Sequence, residues 1–196
     1  MPSRVAIVPY RESWPAEFAI VRDRLRAALG ASALRIEHVG STSIIGLDSK
    51  DVIDVQVSVA DLDDHIARAL IAAGLRCDPE IASDHAPPGA IGSADAWRKR
   101  FFFEAEGERR ANIHVRRAGS PNERYALVFR DYLRASPLVA AAYAELKRRL
   151  STSLAVTADY ADVKDPAVDL IYLGAEQWAS ATAWTLDSSA PLWREA

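Results

Sequence analysis

The feature that most constrains the fold is a run of strict alternation at residues 51–59. Every second residue in this run is β-branched and apolar: Ile53, Val55, Val57 and Val59. Because successive side chains of a strand point to opposite faces, the run predicts a strand with one face buried in a core. An acidic residue, Asp54, lies on the other face. Aspartate is unfavourable within a strand, so its position favours a functional role over a solvent-facing one.

A loop rich in hydroxyl groups precedes this strand. Residues 34–39 are predicted to form a strand that ends at Gly40, and three hydroxyl residues follow, namely Ser41, Thr42 and Ser43. A short helical turn is expected at residues 44–47, so that free backbone N–H groups and hydroxyls at its N-terminus favour an anion. Gly40 permits close approach, and Lys50 adds a mobile positive charge. A tight connection without any ligand would also explain this pattern.

Apolar spacing divides the rest of the chain into helices and strands. The predicted elements are a strand at 5–8, helices at 13–30 and 62–73, strands at 97–104 and 111–116, and three helices between 121 and 179. The last helix is expected to break or restart at Pro166, because proline lacks the backbone N–H of a helix interior. Residues 79–96 are rich in proline and glycine and are expected to form a long loop.

This order of elements predicts an α+β fold rather than a regular βαβ alternation. We expect one domain over residues 1–196, in which residues 1–120 form a mixed sheet core flanked by helices. Residues 121–180 are expected to add a C-terminal helical segment. The tail at 181–196 is expected to be irregular and to be held against the body by Trp184 and Trp193.

Composition excludes several classes of protein. A net charge of −3 and a pI near 5.8 argue against a general nucleic-acid binder. The single Cys77 cannot form an intramolecular disulfide, and no apolar run reaches the length of a membrane helix, so we expect a cytoplasmic protein. Basic charge is carried by 20 arginines and only 4 lysines. Each lysine can therefore be considered individually.

The motifs resemble those of the nucleotidyltransferase superfamily and, more closely, those of the GrpB family within it. The matching phrases are Pro9-Tyr10 with Trp14-Pro15, residues 37–43 with Gly46-Leu47 and Lys50, Ile53-Asp54, Ile113-His114-Val115, residues 129–134 with Pro137, Tyr143, Leu146-Lys147, Tyr160 and Lys164. They extend from about Pro9 to Gln177. The resemblance implies a nucleotidyltransferase-like mixed sheet.

The resemblance also implies functional residues. In the superfamily, carboxylates on the strand after the Gly-Ser turn hold metal ions that neutralise the phosphates during in-line displacement. Carried onto this sequence, Asp54 would hold Mg²⁺ or Mn²⁺ and would act in catalysis together with His114. The residues expected to bind the phosphates or the nucleotide are Gly40, Ser41, Thr42, Ser43, Lys50, Gln56, Lys147 and Lys164.

The sequence departs from the superfamily pattern in its acidic residues. The second carboxylate would fall at Gln56, and the later strand offers Asn112 and His114 where an acid is expected. A two-metal site with one carboxylate is implausible. Two alternatives remain: one metal held by Asp54, His114 and substrate phosphates, or a binding site that has lost its chemistry.

Two functions follow from these observations. One is binding of a nucleotide or other phosphorylated small molecule, with metal-dependent nucleotidyl transfer as its chemistry. The other is a non-catalytic binding or regulatory module that keeps the fold but lacks the full acidic triad. A related domain is fused behind dephospho-CoA kinase in some bacteria, which suggests a link to coenzyme A metabolism.

Other polar residues have simpler interpretations. His38 and His114 are either satisfied core histidines or members of the site, because both lie beside the proposed loop or strand. Arg130 and Arg134 lie on the helix face opposite the apolar residues Tyr125 and Val128, which predicts that they project into water.

Overall fold

The central sheet has five strands and mixed direction. The computed structural model describes residues 5–90, 92–154 and 157–186. The strands are β1 (Arg35–Val39), β2 (Ile53–Val59), β3 (Arg76–Asp78), β4 (Lys99–Phe103) and β5 (Ala111–Arg117). They lie in the order β1-β2-β5-β4-β3, in which β2 and β5 pair in parallel and the other neighbours pair antiparallel.

Helices cover both faces of this sheet. They are α1 (Trp14–Leu29), α2 (Asp64–Ala72), α3 (Pro121–Ala135), α4 (Pro137–Ser153) and α5 (Thr157–Ala181). The alternating apolar residues of β2 form one core with α1 and α2, in which Trp14 and Phe18 are fully buried. On the opposite face, α3 contacts β1 and β5 and packs against α4 and α5. The α+β class and the mixed sheet flanked by helices are therefore confirmed.

One predicted strand is absent, and one observed strand was not predicted. Residues 5–8 form no strand, and Val8 makes only an isolated bridge to Ser49. The edge strand β3 was not expected, because three residues paired with Phe101–Phe103 are too short to give an alternating pattern. The described residues of 79–96 run as irregular backbone, apart from a 3₁₀ turn at Ala94–Trp97 and the bridge of Ser83 to Arg98.

The helical segment differs from expectation at one position. Helix α5 is continuous through Pro166, where a break was predicted. Proline removes one backbone hydrogen bond, but Val168 and Ile171 pack against the cluster around Tyr143, which stabilises the helix beyond that point. In the tail, the Trp184 indole donates a hydrogen bond of 3.0 Å to Asp131. Trp193 lies outside the described residues.

The prediction that Arg130 and Arg134 lie in water is wrong. The Arg130 side chain is 1% exposed, and its guanidinium donates to Glu37 at 2.8 Å, to the His38 carbonyl at 3.0 Å and to Asp131 at 2.7 Å. Arg134 donates to the Ser43 carbonyl at 2.8 Å. The apolar side of α3 packs against α5, so its arginine side faces β1 and the loop that follows.

Replacing Arg130 with methionine tests this packing. Arg130→Met removes the partner of two carboxylates and a carbonyl in a buried region, and we expect the free energy of unfolding to fall by about 3 kcal/mol. Arg149→Met is the matched control, because Arg149 pairs with Glu145 but its side chain is 77% exposed. Urea denaturation should show no measurable change for this control. Equal losses for the two variants would contradict the assignment.

Candidate functional site

A two-lobed cleft opens on the sheet face that α3, α4 and α5 cover. The larger lobe has a volume of about 340 Å³ and the smaller about 240 Å³. Five residues line both lobes: Ser41, Asp54, Asn112, Tyr143 and Lys164. Asp54 lies between Val39 of β1 and Asn112 of β5 in the strand register. The structure thus brings Ser41, Asp54 and His114 together around the larger lobe.

The Gly-Ser loop is tighter than the sequence suggests. Gly40 has φ +67° and ψ −174°, and Ser41–Ser43 form a single 3₁₀ turn. Residues 44–46 are a bend and a turn, so the short helix expected at 44–47 is absent there. A three-residue turn lacks the aligned peptide dipoles of a helix N-terminus. The helix dipole that was expected to favour an anion is therefore absent from this loop, and anion binding by the loop hydroxyls stays a prediction.

Gly40 makes a close approach, but to Asp54. A Cβ atom on Gly40 would lie 2.9 Å from the Asp54 Cβ and closer still to its Oδ2. The positive φ of Gly40 also disfavours any other residue. This glycine therefore fixes the distance between the loop and the strand behind it.

The three loop hydroxyls have different roles. The Thr42 hydroxyl is buried, donates to the Val52 carbonyl at 3.2 Å and lies 3.0 Å from His38 Nε2. The Ser43 hydroxyl donates to the Gly40 carbonyl at 2.6 Å. Ser41 lines both lobes of the cleft. Thr42 and Ser43 thus support the loop from within, and Ser41 is the hydroxyl residue that reaches the cleft.

His38 belongs to the core. Its ring stacks on Phe18 with centroids 4.7 Å apart and planes within 3° of parallel. Burial lowers the pKa of His38 to about 3, so the ring is neutral at physiological pH. Since the Thr42 hydroxyl donates to Val52, it accepts the Nε2–H of His38.

Asp54 is an ionised carboxylate at the junction of the lobes. Its Oδ1 accepts a hydrogen bond of 2.9 Å from the Asn112 amide and lies 3.9 Å from His114 Nε2. Burial acts to raise the pKa of Asp54, but His114 and Asn112 lower it below its ordinary value. The negative charge is therefore present at neutral pH.

His114 presents a hydrogen-bond donor to the cleft. Lys99 Nζ lies 3.3 Å from His114 Nδ1, and an ammonium group can only donate, so Nδ1 is the acceptor. Burial lowers the pKa of His114, which keeps the ring neutral and places its one proton on Nε2, towards Asp54. A metal ion would need a lone pair on that nitrogen.

Gln56 lies beneath the cleft and lines neither lobe. It is fully buried, donates to the Glu123 carbonyl at 3.1 Å and accepts from Arg116 at 2.5 Å. The position where the sequence resemblance predicts a second carboxylate is thus occupied by an amide that joins β2 to α3. We therefore exclude Gln56 from the set that contacts a ligand.

Sequence reasoning missed Asp84, which lines the larger lobe. Its Oδ1 accepts from Lys99 at 2.6 Å, and its Oδ2 accepts from Arg116 at 2.8 Å and from Asn122 at 2.9 Å. Burial acts to raise the pKa of Asp84, but Arg116 and Lys99 hold it far below its ordinary value. Asp84 lies in the long loop at 79–96, whose proline-rich sequence gives no signal for a half-buried acid.

The residues present do not fit a two-metal centre. Among residues 5–90, 92–154 and 157–186, no group of three or more His, Cys, Asp and Glu side chains could hold a metal ion. Both oxygens of Asp84 already accept hydrogen bonds from side chains. A Mg²⁺ or Mn²⁺ ion at Asp54 would have one protein carboxylate and no imidazole lone pair from His114.

Lysines dominate the smaller lobe, where Lys50, Lys147 and Lys164 all contribute to the lining. Lys147 is buried, donates to the Asp48 carbonyl at 2.6 Å and lies 4.7 Å from the centroid of Tyr143. Lys50 lies 4.3 Å from the centroid of Tyr160.

Burial and mutual repulsion act on these lysines. Burial, followed by the charge of Lys164, lowers the pKa of Lys147 to about 7, and the same causes lower the pKa of Lys50. Lys164 thus repels both of the other lysines, whereas the Asp54 carboxylate attracts them. Without a bound anion, this clustering of positive charges is electrostatically unfavourable. Clusters of like charges with shifted pKa values are common at functional sites.

Substitution of Gly40 tests the close approach to Asp54. Gly40→Ala combines a positive φ with the steric conflict, and we expect a loss of about 2–4 kcal/mol in the free energy of unfolding. Gly46→Ala is the control, because Gly46 has φ +78° but open space around its Cβ position. Chemical denaturation should give a smaller loss, about 1 kcal/mol, for the control. Similar losses for both would show that backbone strain alone matters.

The protonated Lys147 side chain in the smaller lobe should lower the free energy of unfolding of the protein. The folded pKa of Lys147 is about 7 against an ordinary 10.5, so the unfolded state binds more protons between these values and stability rises with pH there. Lys147→Met should therefore be more stable than the wild type by about 2 kcal/mol at pH 6, and the difference should shrink above pH 7.

Lys99→Met is the control for that experiment. Lys99 is also buried, but its ammonium lies 2.6 Å from Asp84, so its loss should destabilise the protein across the same pH range. Thermal denaturation from pH 6 to 9 measures both variants. A destabilised Lys147→Met at pH 6 would contradict the interpretation of the lobe.

Comparison with known proteins places the chain in a family. The family model for GrpB protein matches residues 4–173. A solved structure, that of the conserved protein GrpB from Enterococcus faecalis, is 25% identical, superposes with a TM-score of 0.72, and covers 88% of this chain and 99% of that one.

No helix among the described residues is both long and apolar enough to span a membrane.

Curated relatives agree with this placement. A UPF0157 protein of Halalkalibacterium halodurans is 31% identical over 85% of this chain and 80% of its own length. A dephospho-CoA kinase of Mycolicibacterium paratuberculosis is 36% identical over 92% of this chain but 48% of its own length. The chain spans about half the length of the dephospho-CoA kinases it matches. With the family model matched over most of its residues, the chain belongs to the GrpB family.

Proposed function

We propose that the cleft around Asp54 binds a nucleotide or another phosphorylated small molecule. The observation that carries this proposal is the convergence of Lys50, Lys147 and Lys164 on one small lobe. Lys147 is buried and the other two are half-buried, and cations in such positions are unfavourable unless an opposite charge, here a phosphate, compensates them. Ser41, at the same lobe, adds a hydroxyl that can donate to a phosphate oxygen.

The two lobes suit two parts of one ligand. The smaller lobe, with its lysines, would take the phosphates. The larger lobe is lined in part by Tyr125, Phe129 and Val168, which offer ring faces and apolar surface for a base or another organic group. His114 and Asn112 line the same lobe and supply polar groups for orientation.

The names of the relatives narrow the candidates. Five relatives, 33–37% identical, are named dephospho-CoA kinase, and the matched part is about half of each. A domain joined to such a kinase would encounter dephospho-CoA, coenzyme A and ATP. Each of these compounds carries both phosphates and an adenine ring, which suits a lobe with lysines beside a lobe with aromatic rings.

Ligand binding without catalysis is better supported than nucleotidyl transfer. Nucleotidyl transfer through metal ions needs several carboxylates around the phosphates, and here Gln56 and Asn112 stand on the two strands where acids are expected. We therefore favour a non-catalytic binding or regulatory module. Metal-dependent transfer is the second candidate, favoured by the ionised Asp54 beside the lobes, and Mg²⁺ or Mn²⁺ at Asp54 remains a prediction within it.

A ligand screen by thermal shift tests the binding function. At a ligand concentration one hundred times its Kd, we expect stabilisation of about 2.7 kcal/mol and a rise in Tm of about 5–10 °C with ATP, dephospho-CoA or coenzyme A. Ser41→Ala should weaken binding about threefold to tenfold, because one donor is lost. Thr42→Val should lower the Tm and leave the Kd unchanged, because its hydroxyl acts inside the loop.

Two further results separate the candidates. Release of pyrophosphate from a nucleoside triphosphate, lost in Asp54→Asn, would select nucleotidyl transfer over the binding module. No shift with any phosphorylated compound, with and without Mg²⁺, would contradict both.

A further inference from the structure

We propose that lysine ammonium groups, rather than divalent metal ions, neutralise the charge of a diphosphate or similar anion in the smaller lobe. This inference rests on the proposed function and goes beyond it, because it assigns the chemistry of charge neutralisation to this chain's own side chains. The ammonium groups are those of Lys50, Lys147 and Lys164. In this arrangement Asp54 repels the anion instead of joining it to a metal ion.

The distribution of lysine is the first support. The chain has 20 arginines and 4 lysines, and three of the lysines line one lobe of about 240 Å³. The fourth, Lys99, contacts His114, which lines the adjoining lobe. An ammonium group is compact and carries three donors in any direction, whereas a guanidinium is broad and planar. A small lobe that must hold several cations therefore favours lysine over arginine.

The partners of these lysines are the second support. Lys147 interacts with the Asp48 carbonyl and the ring of Tyr143, and Lys50 with the ring of Tyr160, none of which carries a formal charge. Lys164 lies 3.5 Å from Asp165. Protonated, the three lysines exceed the carboxylates of Asp54, in the lobe lining, and Asp165, beside Lys164, by one charge. A bound anion such as a diphosphate would take up that excess.

The state of the acidic and imidazole groups is the third support. Asp54 is the one carboxylate among the residues that line the smaller lobe, and His114 offers an N–H instead of a lone pair. Without a metal ion, the Asp54 charge attracts the lysines and repels a phosphate. Asp54 therefore offsets part of the lysine charge in the free protein and weakens anion binding.

The two possible roles of Asp54 predict opposite effects of Asp54→Asn on the affinity for the anion. If a metal ion joined Asp54 to the phosphates, Asp54→Asn would abolish binding. If the lysines neutralise the phosphates, the same change removes a repulsive charge and strengthens binding. The two interpretations thus differ in the direction of one measured affinity.

Calorimetric titration of the full chain with sodium pyrophosphate and with ADP, in excess EDTA, makes this measurement. We expect binding without metal, a Kd about threefold to tenfold lower in Asp54→Asn, and a Kd about tenfold higher in Lys164→Met. Lys164→Arg is the matched control that keeps the charge, and it should retain most of the affinity, because the Lys164 side chain is 25% exposed and has room to vary. Thermal denaturation of each variant verifies that it is folded.

The failures of the two proposals can be told apart. Binding that requires Mg²⁺ or Mn²⁺ and disappears in Asp54→Asn would overturn the inference and leave the proposed function intact. Equal affinity in Lys164→Met and the wild type would also overturn the inference. No binding of pyrophosphate, ADP or any other phosphorylated compound, with or without metal, would overturn both.

Discussion

The contact between Gly40 and Asp54 determines the geometry of the cleft. It brings the loop after β1 against the side chain of β2, at a distance that leaves no room for a Cβ atom. Arg130 and Arg134 hold this loop from the other side through the carbonyls of His38 and Ser43. The position of the Ser41 side chain at the two lobes therefore follows from packing on both sides of one short turn.

The polar layer beneath α3 explains why the site has so few acids. Asp84, Arg116 and Gln56 form one hydrogen-bonded group in which each charged or amide group has a partner. Such a group is stable in a buried region only when its members are satisfied, so its residues are not available for a metal ion or a ligand. Charge on this face of the sheet is thus divided between a closed network and the lysines of the smaller lobe.

Local patterns predicted the elements but not their partners. The alternation at 51–59 predicted β2 and placed Asp54 on the face opposite the apolar residues, because a period of two follows from burial of one face of a strand. The helical spacing around Tyr125 gave α3, yet it could not show that the arginines on the opposite side meet Glu37 and the Ser43 carbonyl, far away in the sequence. Similarly, the hydroxyls of Thr42 and Ser43 look alike in sequence to that of Ser41. Only the fold decides which of them turns inward.

The hydrogen bond from Trp184 to Asp131 gives the end of α5 an influence on the cleft. Asp131 also accepts from Arg130 and Arg134, which in turn hold the Gly-Ser loop. A residue just beyond the last helix is thereby connected, through three side chains, to the turn that positions Ser41. If this domain is joined to another protein beyond residue 184, the junction must leave that indole in place, because its displacement would alter the cleft without any direct contact.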